Sequence, residues 1–415
     1  MRIPMLFRFS LYGFLKNQQY YDPFLILIFR EKGLSFFMIG ILVGFREICI
    51  NIFEVPSGAF ADLYGCRRSM ILSFVAYITS FVVFALSRSV TLLFCAMFLF
   101  SIGEVFRTGT HKALIFSWLR LQGRGDEKTK IYGYTRSWSQ IGSALSVIIA
   151  SALVFYTGNY SNIFLFCTIP YLIDIINFLG YPAELDCDCR SGFSIKAVLA
   201  HLADALKQSV RYPYLRRLLV ESMGFDGTFK AAKDYLQPIL KQAALALPIF
   251  VTLGDKRTPL MVGAVYFTIY ILSSIASRQS HRIANWQGGE DKAGRLIWYA
   301  DWVMFVCLIP LLWFRLNLLA IVCFIMLMTL QNFWRPIMIS RINAHSTPEM
   351  SATVLSIESQ SRSLATMLTA PILGWTVDKA GAFWPVAIVG ALIATAIILT
   401  AKPMDDRSGT ANELE

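Results

Sequence analysis

Apolar residues come in runs of about 20 along nearly the whole chain, separated by short polar breaks. In an α-helix rising 1.5 Å per residue, such a run crosses about 30 Å of hydrocarbon. The pattern predicts about twelve spans, at roughly 5–29, 36–62, 69–88, 91–118, 134–157, 161–181, 216–243, 259–279, 294–314, 316–340, 350–376 and 382–401. The run at 36–62 carries acidic interruptions but keeps its helical period. The longest polar break, about 182–215, falls near the middle of the chain. Within it, Ile195 to Val210 has apolar residues at three-to-four spacing. That fits an amphipathic helix lying on the membrane surface, and an ordinary solvated connector fits as well. The expected organisation is all-α and membrane-integral: a six-helix bundle over 1–181, a linker over 182–215, a second six-helix bundle over 216–401 and a tail over 402–415.

Composition and charge sharpen this picture. Of the 415 residues, 56% are hydrophobic and only 16% charged, with a mean hydropathy of +0.54. A soluble chain carries about 25% charged residues. A net charge of +11 would point to nucleic acid in a soluble protein. Here Lys and Arg concentrate in alternate loops: Arg8, Arg67, Arg68, residues 120–130, 190–217 and 278–295, and Arg341 on one side, with fewer on the other, among them Arg30, Lys32 and Arg88. The positive-inside rule then places both termini in the cytoplasm, with a cell membrane (a bacterial inner membrane) as the expected setting and no nucleic-acid partner. The first apolar run starts at once and is too long for a signal-peptide core, so no cleavable leader is expected. Cys187 and Cys189 are too close and too isolated for a metal site. No P-loop, HExxH or zinc-spaced cluster occurs, and no Ser-His-Asp arrangement can be read, so no enzyme activity, cofactor or metal is expected.

The two halves resemble each other at corresponding spans. Gly13, Lys16 and Tyr21 match Gly227, Lys230 and Tyr235 at the same spacing, with Pro23 and Pro238 displaced by one residue. Glu104-Val-Phe-Arg107 matches Asn332-Phe-Trp-Arg335, and Arg136-Ser-Trp-Ser-Gln140 matches Glu358-Ser-Gln-Ser-Arg362. Three short matches in order, offset by six spans, mark a duplicated unit. Two such bundles related by a pseudo-two-fold along the membrane normal enclose a path at their interface.

One loop concentrates polar and glycine positions. Within residues 54–69, Gly58 is expected to let a neighbouring helix approach and Asp62 to face the positive N-terminus of another helix. Gly65 is expected to make the reversal, and Arg67 and Arg68 to hold the turn in the cytoplasm. The pattern G-x-x-x-D-x-x-G-x-R-R resembles the loop motif between helices 2 and 3 of the major facilitator superfamily (MFS) of secondary transporters. The resemblance implies twelve helices in two pseudo-symmetric bundles, with a central path lined by spans 1, 4, 7 and 10. Asp62 is expected to act as a conformational latch against the start of span 11, where Thr347 would be the N-cap and Pro348 the first helical residue.

Those four spans hold most of the buried charge. Lys16 lies about eleven residues into span 1, on a predicted face shared by Tyr12, Gln19, Tyr20 and Pro23. Span 7 carries the corresponding stripe Asp226, Lys230, Lys233, Asp234 and Gln237. A lysine at the bilayer centre costs about 2.5–3.5 kcal/mol, so it needs water or an acid. Lys16 and Lys230 are expected to face each other across the path, balanced by Asp22 and by Asp226 or Asp234, with Arg335 closing the cytoplasmic side. The alternative is a purely structural pair of Lys230 with Asp226 or Asp234. Span 2 adds Arg46, Glu47, Asn51 and Glu54, and span 4 adds Glu104, Arg107, His111 and Lys112. Arg107-Thr-Gly109 loosely resembles the arginine–glycine element of helix 4 in proton-coupled members. Glu104 and Glu47 are the carboxylates expected to couple protons, an ordinary structural Glu–Arg pair being the alternative.

The resemblance implies a transporter that moves a small solute by alternating access, expected to be proton-coupled and monomeric in the bilayer. Efflux is favoured, because the Glu-x-Pro-Ser-Gly-x-x-x-Asp context looks like that of uncharacterised bacterial efflux-type members. Against antiport, the Gly-Pro-rich helix 5 element of many drug/proton antiporters has no counterpart in span 5. The runner-up is a proton-coupled importer of an anionic metabolite, motivated by Lys16, Lys230, Lys233, Arg107 and Arg335, which would together make a positive cavity. A transporter-like sensor or scaffold is the reading from another class; it would call for large extra domains.

Overall fold

A computed structural model of the chain describes residues 4–124, 127–185, 212–248, 251–345 and 351–400. Among them all regular structure is helical. The helices form twelve consecutive segments. The first half comprises α1 (Met5–Leu15) with α2 (Leu25–Glu31), α3 (Phe36–Tyr64), α4 (Cys66–Leu86), α5 (Val90–Arg107) with α6 (Thr110–Leu121), α7 (Lys128–Thr157) and α8 (Ile163–Leu179). The second comprises α9 (Pro213–Ser222), α10 (Thr228–Ala232) and α11 (Leu236–Ala246) as one segment, then α12 (Arg257–Gln287), α13 (Glu290–Trp313), α14 (Asn317–Ala344), α15 (Ser351–Ala380) and α16 (Trp384–Thr400). Seven helical stretches are long and apolar enough to cross a membrane on their own. Large apolar side chains such as Ile176, Leu368, Leu392 and Leu399 are exposed, as a lipid-facing surface requires. The helix expected at 195–210 and the tail from 402 lie outside the described residues.

Segments one and seven are interrupted, which corrects the single-face reading of their polar residues. α1 stops at Leu15, and a 3₁₀ turn at Asp22–Phe24 restarts the chain into α2. Segment seven contains a π-helical turn at Met223–Gly227 and a 3₁₀ turn at Lys233–Tyr235. Proline explains where helix resumes: it lacks an N–H and clashes with the carbonyl four residues back, so it is tolerated in a first turn. Pro23 lies in the first restart and Pro238 in the first turn of α11. The period of 3.6 therefore does not run unbroken from Tyr12 to Pro23, nor from Asp226 to Gln237.

The halves meet along two helix pairs, α3 against α15 and α7 against α12. A Cβ at Gly40 would collide with the Ala370 carbonyl, and one at Gly374 with the Phe36 carbonyl, so bare backbones touch there. Nearby, the Phe36 and Phe37 amides donate to the Asp378 carboxylate at 3.1 and 2.7 Å. The Ile26 amide donates to Gln237 Oε1 at 2.7 Å, and Gln237 Nε2 donates to the Asp22 carbonyl at 2.9 Å. These contacts seal the end of the bundle away from the described start of the chain. At the opposite end nothing lies within 4 Å of where a Cβ would sit on Gly58. The close approach expected at Gly58 is thus made by Gly40 and Gly374 instead, because that is the end at which the halves are pressed together.

Candidate functional site

Between the two ends, Glu47 on α3 is fully buried and accepts from Arg46 at 2.8 Å and from Lys230 of α10 at 2.7 Å. Lys230 thus takes its acid from the other half of the molecule. This corrects both expected pairings, with Asp226 and with Asp234, since each of those carboxylates is already held elsewhere. Lys233 pairs with Asp234 at 3.1 Å and reaches Asp22 of the first half at 3.8 Å, a second bridge between the bundles.

Asp226 belongs to a cluster within the second half. Arg335 on α14 binds Glu358 on α15 through two nitrogens, at 2.6 and 3.2 Å, and lies 3.4 Å from Asp226. Arg362, one turn after Glu358, reaches it at 2.9 Å and Asp226 at 3.9 Å. Ser222 donates to Glu358, and Gln331 donates to Asp226 at 3.2 Å. Two buried acids and two arginines therefore neutralise one another. In the first half, Glu104 accepts from Arg107 and from the Tyr77 hydroxyl, each at 2.5 Å, and Arg107 donates to Tyr77 at 3.3 Å.

Of the five cations expected to make a positive cavity, four are paired. Lys16 is the exception: among the described residues no acid lies within ion-pair distance, and its Nζ sits 5.5 Å from the Tyr12 ring centroid. It lines a cavity of about 380 Å³ with His111, Arg136 and Gln140. Gln19 is half-buried where α1 has ended, and Tyr20 is buried in the apolar core.

In the loop motif, Gly65 has φ +96° and ends α3, as its missing Cβ allows. Arg67 Nη1 donates to the Tyr181 carbonyl at 2.9 Å, tying the turn to the end of the first half, and Arg68 is exposed. The Asp62 side chain and residues Thr347 and Pro348, which carry the expected latch, lie outside what the structure describes.

Sequence reasoning assigned no role to Glu358 and Arg362. The available signal was two charges one turn apart in an otherwise apolar span, which in hydrocarbon need partners. It also left His111 and Arg136 without a role. The repeat register needs one change. Gly13 faces Thr135 and Ser139, and Gly227 faces Arg362 and Ala365. Thr135 and Arg362 therefore occupy equivalent places, a shift of five residues from the alignment of Arg136 with Glu358.

A family model described as Major Facilitator Superfamily matches residues 16–370. The chain belongs to the Major Facilitator Superfamily. It is similar to the uncharacterized MFS-type transporter YxaM of Bacillus subtilis (strain 168), 24% identical over 368 residues, covering 85% of this chain and 84% of that protein. Its fold resembles the nucleoside transporter NupG, with a TM-score of 0.75 at 11% identity over 96% of this chain and 98% of that one. It also resembles a POT family transporter in complex with 5-aminolevulinic acid, with a TM-score of 0.70 at 14% identity over 95% of each chain. This superfamily member is a multi-pass membrane transporter, and the Glu47–Lys230 and Asp22–Lys233 bridges lie where its two bundles meet.

Proposed function

We propose that the chain carries a small solute across the membrane by alternating access of its two bundles, and that protons drive it through Glu47. The observation that carries the reading is the Lys230–Glu47 pair, which joins the halves through a fully buried carboxylate. Protonation turns that carboxylate from an acceptor for Lys230 and Arg46 into a neutral acid, removing the attraction that ties α3 to α10. Two bundles sealed at one end and joined by the titratable Glu47–Lys230 and Asp22–Lys233 bridges have the means to exchange which end is closed. Glu104 is bound within its own half, so its protonation would leave the halves tied.

Efflux is the proposed direction, on the sequence context of residues 54–62. The uncompensated Lys16 favours a second reading, proton-driven import of an anionic metabolite. Both termini are proposed to be cytoplasmic. On a background lacking the eight native cysteines, cysteines at exposed Arg68 and Arg88 should then be labelled from opposite sides; labelling from the same side overturns the topology.

Reconstituted vesicles loaded with a solute library, with and without an imposed pH gradient, test the mechanism. Wild type should concentrate at least one solute only when the gradient is present. Glu47→Gln should keep exchange without a gradient yet lose gradient-driven accumulation. A Glu47→Gln protein that still accumulates solute removes Glu47 from coupling.

A further inference from the structure

The second helical segment of each half offers a simple comparison. In the first half that segment is α3, and its Glu47 neutralises Lys230. In the second half it is α12, and residues 257–287 contain neither Asp nor Glu. Lys16, the counterpart of Lys230 in the repeat, therefore has no reciprocal acid to meet. Glu104 and Asp174 act on Lys16 only through space, outside ion-pair distance, and Glu104 is already committed to Arg107.

The cavity beside Lys16 adds two further positive or donor groups. Arg136 lines it, is exposed, and makes no ion pair among the described residues. His111 lines it too, and its Nε2 is buried with no hydrogen-bond partner. Ser139 and Gln140 add neutral polar groups, and the Tyr12 ring lies tilted by 37° against His111 with centroids 3.9 Å apart, forming one wall. A volume of about 380 Å³ is at the small end of the range for ligand pockets.

We propose that this cavity binds a small organic anion, bearing a carboxylate or phosphate group, as the transported solute. The proposal rests on the transporter reading above and names the class of its substrate. Lys16 supplies a point charge in a low-dielectric setting, and the Arg136 guanidinium supplies a planar fork that matches two anionic oxygens. His111 Nε2 supplies a third donor when its hydrogen is on that nitrogen. An anion placed there balances a charge that no acid among the described residues pairs with, whereas a cationic solute would add to it.

Binding can be read without transport. Purified protein in detergent is titrated with succinate, inorganic phosphate and uncharged succinamide at constant ionic strength, following the unfolding midpoint and tryptophan fluorescence. At least one anion should give a saturable response, and succinamide none. Lys16→Met and Arg136→Gln should each weaken the response about tenfold or more, and Lys16→Arg should restore most of it. Response to one anion alone tells carboxylate from phosphate recognition. An equal response to succinamide, no saturable response to either anion, or a response unchanged in Lys16→Met and Arg136→Gln overturns the proposal. Anion binding without flux of any solute would sink the transporter reading and leave the site standing. Gradient-driven flux of an uncharged solute, with no anion binding, would do the reverse.

Discussion

In the second half of the molecule, Asp226, Glu358, Arg335 and Arg362 close upon one another, and Lys230 is satisfied by Glu47 from the first half. In the first half, the corresponding region beside Lys16 is a cavity with Lys16 and Arg136 at its wall and, among the described residues, no acid in ion-pair contact with either. The two halves share a fold and a run of sequence, and the first also closes Glu104 on Arg107, yet beside Lys16 and Arg136 it leaves two cations without an ion pair among the described residues. A duplicated scaffold can thus divide labour: the neutralised half supplies a rigid body, and the open half supplies charge for something that is not protein. In an apolar surrounding an unbalanced ammonium is costly, so its persistence at Lys16 calls for an outside partner.

The largest effect should come from breaking the closed cluster. Arg335→Met leaves Glu358 and Asp226 with Arg362 as their remaining guanidinium, and stranding a buried carboxylate costs about 3–5 kcal/mol. The unfolding midpoint in detergent should fall steeply, or the folded yield should collapse. Arg136→Met, in the open half, should change stability by no more than about 0.5 kcal/mol. Similar losses from the two substitutions would erase the distinction between the halves.

The matched lysines give a smaller and sharper test, because their expected effects differ in sign. Lys230→Met leaves the fully buried Glu47 with Arg46 alone and should destabilise by about 1–3 kcal/mol. Lys16→Met removes a charge that has no ion-pair partner among the described residues and should be neutral or stabilising in the absence of ligand. Thermal unfolding of both variants decides it; a clear loss on Lys16→Met would mean that the protein itself compensates Lys16.

Much of this arrangement was legible in the chain. Apolar run lengths carried the twelve segments, because crossing hydrocarbon demands them whatever the tertiary contacts. Glycine, lysine and tyrosine at repeated spacing marked the two equivalent breaks, although the breaks themselves spoiled the single-face reading that placed Gln19 and Tyr20 beside Lys16. Pairing was not legible. Lys230 and Glu47 are 183 residues apart, and nothing in local spacing favours that partner over Asp226 or Asp234 one turn away. The choice depends on Arg335 and Arg362 claiming Asp226, on Lys233 claiming Asp234, and on α3 crossing near α10. Gly58 illustrates the same limit: a glycine permits close approach, but only the packing decides whether Gly58 or Gly40 is used. One informative feature was in plain view, however. Residues 257–287 contain no acid, a feature the sequence reading passed over when it expected Asp22 to help balance Lys16.

That absence suggests the mildest substitution and the most direct test of the comparison. Gln140 is exposed and lines the cavity with Lys16 and Arg136. Gln140→Glu is nearly isosteric and supplies an acid to a cavity lining that has none, giving Lys16 a carboxylate neighbour as Glu47 is for Lys230. A partly solvated pair of this kind adds little, about 0–1 kcal/mol, so the unfolding midpoint should hold or rise slightly. The functional consequence should be far larger than the energetic one. A fixed carboxylate beside Lys16 competes with an incoming anion and repels it, so the saturable response to succinate or phosphate should disappear while the fold remains intact. Gln140→Ala, which removes a neutral side chain without adding charge, should leave the response within a few-fold of wild type. If Gln140→Glu binds anions as well as Gln140→Ala does, the charge left open at Lys16 is not what the cavity offers its ligand, and the contrast between the two halves loses its functional meaning.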